Sequence, residues 1–224
     1  MKEKVGLIAL GSRDDFDKWD DVVSLLAPEI EVETAGVLDG LTEEEIAEQF
    51  AFMPGENYLV TGMPWGSEVH ISEEKANAVV YRLACELFDR GNRTVLVLCT
   101  GDFDRPAVKG HLFLLPEDLM SGILQGLRQN KLGFIVPEPG QIPSSLRQHQ
   151  APNPVIHAAS PYGPMEELAR AADAFRDEDV EIVVTDCMGF TAPMGRMVAE
   201  HSGKQVLVPR LVIPKLLKAL LLQQ

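Results

Sequence analysis

Thr94-Val95-Leu96-Val97-Leu98-Cys99-Thr100-Gly101 and Glu181-Ile182-Val183-Val184-Thr185-Asp186-Cys187-Met188-Gly189 state one arrangement twice: an apolar run, a cysteine, then a glycine-containing turn. Each run is strand-length and β-branched, so each reads as a buried strand ending in its cysteine. In an open α/β sheet, ligands bind outside the carboxyl ends of strands, where the departing loop opens beside a helix N-terminus. Two thiols therefore stand at candidate ligand sites.

Working outward, residues 5–10 form a first apolar strand bounded by Gly11-Ser12, and residues 16–26 carry helical spacing through Phe16, Trp19, Val22, Val23 and Leu26, which puts Phe16 and Trp19 on the core face. A strand follows at 31–35. Thr42 with Glu45 three residues on is a capping-box signature for a helix running to about Phe52. Residues 58–61 and the segment through Val69 and Ile71 suggest a hairpin, and Ser72 caps a long helix ending at Gly91. Cys85 lies within that helix as a small buried apolar filler. Beyond Cys99 comes an irregular stretch, then helices at 116–128, 142–149, 164–175, from Pro193 and at 211–222. They alternate with strands at 133–136, 155–158, at Cys187 and at 206–208.

Strands alternating with helices of this length imply parallel sheets with right-handed crossovers. The fold class expected is α/β, in two pseudo-symmetric lobes with parallel sheets flanked by helices. Lobe one takes residues 1–115 plus 209–224, and lobe two takes residues 116–208.

Composition narrows the function. With 34 acidic against 20 basic residues in 224, the net formal charge is −14, which argues against nucleic acid or anionic membrane as a partner. The longest apolar segment, 211–222, contains Pro214, Lys215 and Lys218 and is shorter than the ~18 residues of a membrane span. No leader-like segment opens the chain. Three cysteines without such a leader imply reduced thiols in a cytoplasmic setting. The five histidines are scattered without metal-ligand spacing, so no metal site is expected.

Paired cysteines can work as base and acid on opposite faces of one carbon, while the bare turns offer backbone N–H groups to a carboxylate. That combination describes a racemase needing no cofactor. The segments Asp186-Cys187-Met188-Gly189-Phe190, Thr42-Glu43-Glu44-Glu45 after Leu38-Asp39-Gly40-Leu41, Gly133-Phe134-Ile135-Val136-Pro137 and the closing stretch 212–222 resemble the AroM family. That family is similar in turn to the aspartate/glutamate/hydantoin racemase superfamily. The resemblance implies an Asp/Glu racemase-like fold and a PLP-independent amino-acid or hydantoin-type racemase or epimerase. It also implies Cys99 and Cys187 as the catalytic pair and a small carboxylate-bearing substrate. Where such racemases carry Asn-Thr and Thr-His after the two cysteines, this chain has Thr100-Gly101 and Met188-Gly189.

The substrate-binding residues expected are Gly11, Ser12 and Arg13 after the first strand, Thr61, Thr100 and Gly101, Glu138 between two prolines, and Met188 and Gly189. A homodimer is the assembly to test, with Trp65 in the Met63-Pro64-Trp65-Gly66 turn a candidate lid or subunit contact. Two other readings stay open at this level. The cysteines serve only as buried strand-end residues of a non-catalytic small-molecule-binding protein. Alternatively, Cys99 with Arg105 forms the Cys-x5-Arg loop of a phosphatase, a reading that leaves Cys187 unexplained.

Overall fold

The computed structural model describes residues 2–148 and 153–222, except the side chains of residues 15, 16, 147 and 148. The expected helix end at His149 and the expected core packing of Phe16 fall outside that description. The chain divides into two compact units, Met1–Glu117 with Pro214–Gln224, and Asp118–Ile213.

The first unit runs β1 (Glu3–Ala9), α1 (Asp20–Leu26), β2 (Ile30–Gly36), α2 (Glu43–Gln49), β3 (Tyr58–Gly62), β4 (Glu68–Ser72), α3 (Glu73–Asp89), β5 (Thr94–Val97) and β6 (Leu112–Leu114). Its main sheet is fully parallel in the order β2-β1-β5-β6. Every residue of β5 is buried, as are residues 5–9 of β1, which is why these strands read as continuous apolar runs. The core gathers Ile8, Ile46, Ile71, Val80, Leu87 and Phe103 between sheet and helices. The antiparallel hairpin β3-β4 stands as its own two-stranded sheet.

After α4 (Pro116–Gly126), the second unit repeats the plan with β7 (Leu132–Val136), α5 (Ile142–Gln148), β8 (Val155–Ala158), α6 (Met165–Ala174), β9 (Ile182–Thr185), α7 (Ala192–Ser202) and β10 (Gln205–Leu207). The closing helix α8 (Pro209–Leu221) follows, with Pro214 inside it. The second sheet, also parallel, runs β8-β7-β9-β10. Counted within each unit, both sheets have the strand order 2-1-3-4.

Most local signals hold. Thr42 and Glu45 close a reciprocal capping box on α2, and the Ser72 side chain accepts from the Lys75 N–H at the start of α3. Several boundaries differ. The helix expected at 16–26 is a 3-10 turn (Arg13–Trp19) followed by α1, and Trp19, expected in the core, is half-buried at their junction. Helix α2 stops at Gln49 rather than Phe52, because the chain turns there and the Phe50 carbonyl accepts from the Ser72 N–H. The stretch after Cys99 holds a strand, β6, which periodicity missed because Leu112 on this sheet edge is exposed. Cys85 is half-buried rather than enclosed. Among the described residues, no helix is long and apolar enough to cross a membrane.

A polar knot secures the amino end of the first sheet. Glu33 on β2 pairs with Lys4 at 2.9 Å and Arg90 at 2.6 Å, and accepts from Asn92 at 2.7 Å. Partial burial pushes the Glu33 carboxyl up, but the Asn92 and Lys4 hydrogen bonds and the Arg90 charge together outweigh it and hold it below its usual 4.5. A carboxyl depressed in the folded state contributes stability above its unfolded pKa and loses it as pH falls through the folded value. Urea unfolding below pH 4.5 should therefore fall less steeply for Glu33→Gln than for wild type. Parallel decline of the two proteins would show that the knot carries no linked stability.

Candidate active site

In an open α/β sheet of order 2-1-3-4, the crevice lies at the carboxyl ends of the first and third strands. Those strands are β1 and β5 in one unit, β7 and β9 in the other. Cys99 follows β5 and Cys187 follows β9, each two residues past the strand's last paired residue, so the strands end at Val97 and Thr185 rather than in the cysteines themselves.

Aligning the two cysteines brings the neighbouring strands into agreement. Gly6 pairs with Val95 and Gly133 with Val183, so the glycines of β1 and β7 become equivalent. Each lies under a helix side chain: a Cβ on Gly6 would come within 2.8 Å of Leu87, and one on Gly133 within 2.5 Å of Phe175. The ladder then extends by the same step in both units, Leu98 N–H donating to Ile8 O and Asp186 N–H to Ile135 O. Beyond that last bond each turn closes on its sulfur. The Gly101 N–H donates to Cys99 Sγ and the Gly189 N–H to Cys187 Sγ, both at 3.3 Å.

In the first unit the Cys99 turn is laced to the start of α3. Glu73 accepts from the Asp102 N–H at 3.3 Å, and the Asn77 side chain bonds Asp104 twice, at 2.7 and 2.8 Å. Cys99 is buried and Thr100 and Gly101 are half-buried. Arg105 donates to Asp102 and to the Phe103 carbonyl.

The loop after β1 closes against the hairpin. A Cβ on Gly11 would sit 2.9 Å from the Gly62 carbonyl oxygen and 3.3 Å from Thr61 Oγ1, so glycine is what lets Gly11 and the buried Thr61 meet. Ser12, also buried, accepts from the Asp14 N–H at 3.1 Å. Arg13 is exposed, with its amide bonded to Asp39 and its Nε 3.8 Å from the same carboxylate. Trp65 is exposed in the hairpin turn.

In the second unit Cys187 is half-buried and Met188 and Gly189 are buried. A Cβ on Gly189 would lie 2.7 Å from Tyr162 Oη and 2.8 Å from Pro161, which packs the turn after β8 onto the cysteine turn. Asp186 accepts from the buried Ser145 hydroxyl at 3.3 Å. Arg210, buried near the start of α8, donates to the Met188 carbonyl at 3.3 Å. Loss of hydration pushes the Cys187 thiol up to about 12 and Asp186 adds to the rise, while the Gly189 N–H and Arg210 oppose it. Glu138 follows β7, half-buried, and opens a short 3-10 turn.

Sequence reading singled out both cysteine turns and the loop after β1 as candidates, and did not single out Glu73, Tyr162, Ser145 and Arg210, which meet the cysteine turns or Asp186. Only Glu73 had a local signal, its place next to the helix cap Ser72.

The two like parallel sheets flanked by helices define an α/β protein of racemase-like fold. The solved structures agree in fold. A maleate isomerase from Pseudomonas putida S16 is 12% identical with a TM-score of 0.60, covering 98% of this chain and 93% of its own. Aspartate racemase from Picrophilus torridus is 12% identical with a TM-score of 0.51, covering 99% and 93%. A glutamate racemase isoform from Bacillus anthracis is 11% identical with a TM-score of 0.60, covering 98% and 81%. No curated protein matches the chain in sequence. The family described as AroM protein matches residues 5–221, and the chain belongs to the AroM family.

Proposed function

We propose that this protein is a cofactor-independent racemase or epimerase in which Cys99 and Cys187 act as base and acid on a small carboxylate-bearing substrate. The observation that carries the reading is the equivalence of the two thiol turns in register, in distance from the strand end and in the 3.3 Å N–H to Sγ bond. Racemases and isomerases of similar fold support it, with maleate, aspartate and glutamate named for them.

In the proposed reaction one thiolate takes the proton from the carbon next to the carboxylate. An S–H bond forms as the C–H bond breaks, and the electron pair is left on a carbanion delocalised into that carboxylate. The other thiol then delivers its proton to the opposite face and is left as thiolate. Cys187, with its raised pKa, enters protonated and serves as the acid, and Cys99 is the base. Gly11, Ser12, Thr61, Thr100, Gly101, Met188 and Gly189 bind the substrate through backbone and hydroxyl groups. Arg13 and Glu138 fix its charged ends. Three cysteines as thiols suit a reducing, cytoplasmic setting.

The test is incubation in deuterated water with single enantiomers of amino acids, hydantoins and substituted dicarboxylates. Inverted product carrying one solvent deuteron at the stereogenic carbon is expected for at least one class. Measurable binding with neither inversion nor label across the panel would establish the non-catalytic binding protein instead.

A further inference from the structure

The peptide group joining Met188 to Gly189 is engaged at both ends. Its carbonyl accepts from Arg210 Nη1 at 3.3 Å, and its N–H donates to Cys187 Sγ at 3.3 Å. The guanidinium thus lies at the negative end of a peptide dipole whose positive end meets the sulfur. Hydrogen bonds in series polarise one another, and a cation at the carbonyl strengthens what the N–H offers to a thiolate. Arg210 is only 3% exposed and Met188 fully buried, so little water screens this relay.

The first unit supplies a comparison. Thr94 pairs with Leu112 and Ile182 with Gln205, which makes Pro116 and Pro209 equivalent as the residues opening the helix after the fourth strand. The residue after each proline is then Glu117 in one unit and Arg210 in the other. The same fold position carries opposite charges in the two copies, so a merely structural requirement of the fold does not explain the arginine.

We propose that Arg210 is a positioning residue that orients and polarises the Met188–Gly189 peptide, and thereby favours the thiolate form of Cys187. Among the described residues, Asp186 beside Cys187 in the chain opposes the thiolate, and the Tyr162 ring lies against Gly189. Arg210 offsets Asp186 when Cys187 gives up its proton. This deepens the two-thiol reading by assigning what governs one of the thiols.

The test is alkylation of the folded protein by iodoacetamide at pH 9 without substrate, with Cys187 followed by peptide mass spectrometry and Cys85 as internal reference. Arg210→Gln keeps an amide donor for the carbonyl and removes the charge, whereas Arg210→Lys keeps the charge. Alkylation of Cys187 should be slower by about tenfold in Arg210→Gln, the effect of about one pKa unit on the thiolate fraction, and within about threefold of wild type in Arg210→Lys. A purely structural role predicts the reverse, since a loosened turn exposes the sulfur and speeds its reaction. An unchanged or faster rate in Arg210→Gln overturns the proposal. If that variant does not fold, Arg210→Lys decides: a tenfold loss with the charge retained overturns it, and a rate near wild type supports it. Because no turnover is measured, the result is independent of whether a racemase substrate is found.

Discussion

Cys187→Ser should lower the rate of stereochemical inversion by at least about 100-fold, and Cys99→Ser by a similar factor, with substrate KM changed far less than kcat. Serine keeps the size and hydrogen bonding of the turn, so the Gly101 and Gly189 N–H groups retain an acceptor. What it removes is a group acidic enough to exchange a proton with carbon near neutral pH. The double variant should be little worse than either single one, because inversion needs both faces served and losing one already stops the cycle. Inversion is the decisive readout, since a lone thiolate can still remove and return a proton on one face. Inversion at wild-type rate in both single variants would remove the thiols from the mechanism.

Gly36→Ala should destabilise the first unit by ~1–3 kcal/mol, the usual cost of forcing atoms into a filled site. A Cβ here would meet Asp39 Oδ1 and would lie 2.6 Å from both Arg13 N and Gly11 O. The last two are backbone atoms and cannot rotate away. The Asp39 carboxylate is itself held by the Gly36 and Arg13 amides, so displacing it would release the loop carrying Gly11, Ser12 and Arg13. Urea unfolding should show the loss. Gly122→Ala is the control: apart from its chain neighbours and the backbone of its own helix, no described atom lies within 4 Å of its Cβ position in α4, and alanine favours a helix over glycine by up to ~1 kcal/mol. Equal unfolding midpoints for Gly36→Ala and wild type would contradict the packing of this loop.

Much of the fold was legible because its signals are local. Thr42 with Glu45, Ser72 before its helix and Gly91 after it, and the apolar runs at β1, β5, β7 and β9 each depend on residues a few positions apart. Strand β6 was not legible, because it is a short edge strand whose Leu112 faces outward, leaving no alternation to detect. The break between the 3-10 turn and α1 escaped for a related reason: both segments present helix-like spacing, and the Ser12 cap starts the tighter one.

From its residues alone this chain determined that two strands would each be followed by a thiol and a glycine turn, since burial and turn chemistry are written in adjacent positions. Only the tertiary structure decided that the turns are equivalent. Equivalence rests on the register of β1 with β5 and of β7 with β9, and hydrogen bonding between strands distant in sequence sets that register. It also decided what surrounds each sulfur. Glu73 reaches the Cys99 turn from α3, and Arg210 reaches the Cys187 turn from α8, because parallel strands require crossovers that bring remote helix starts to the same sheet edge. The electrostatic difference between two similar sequence motifs is therefore a property of the folded chain.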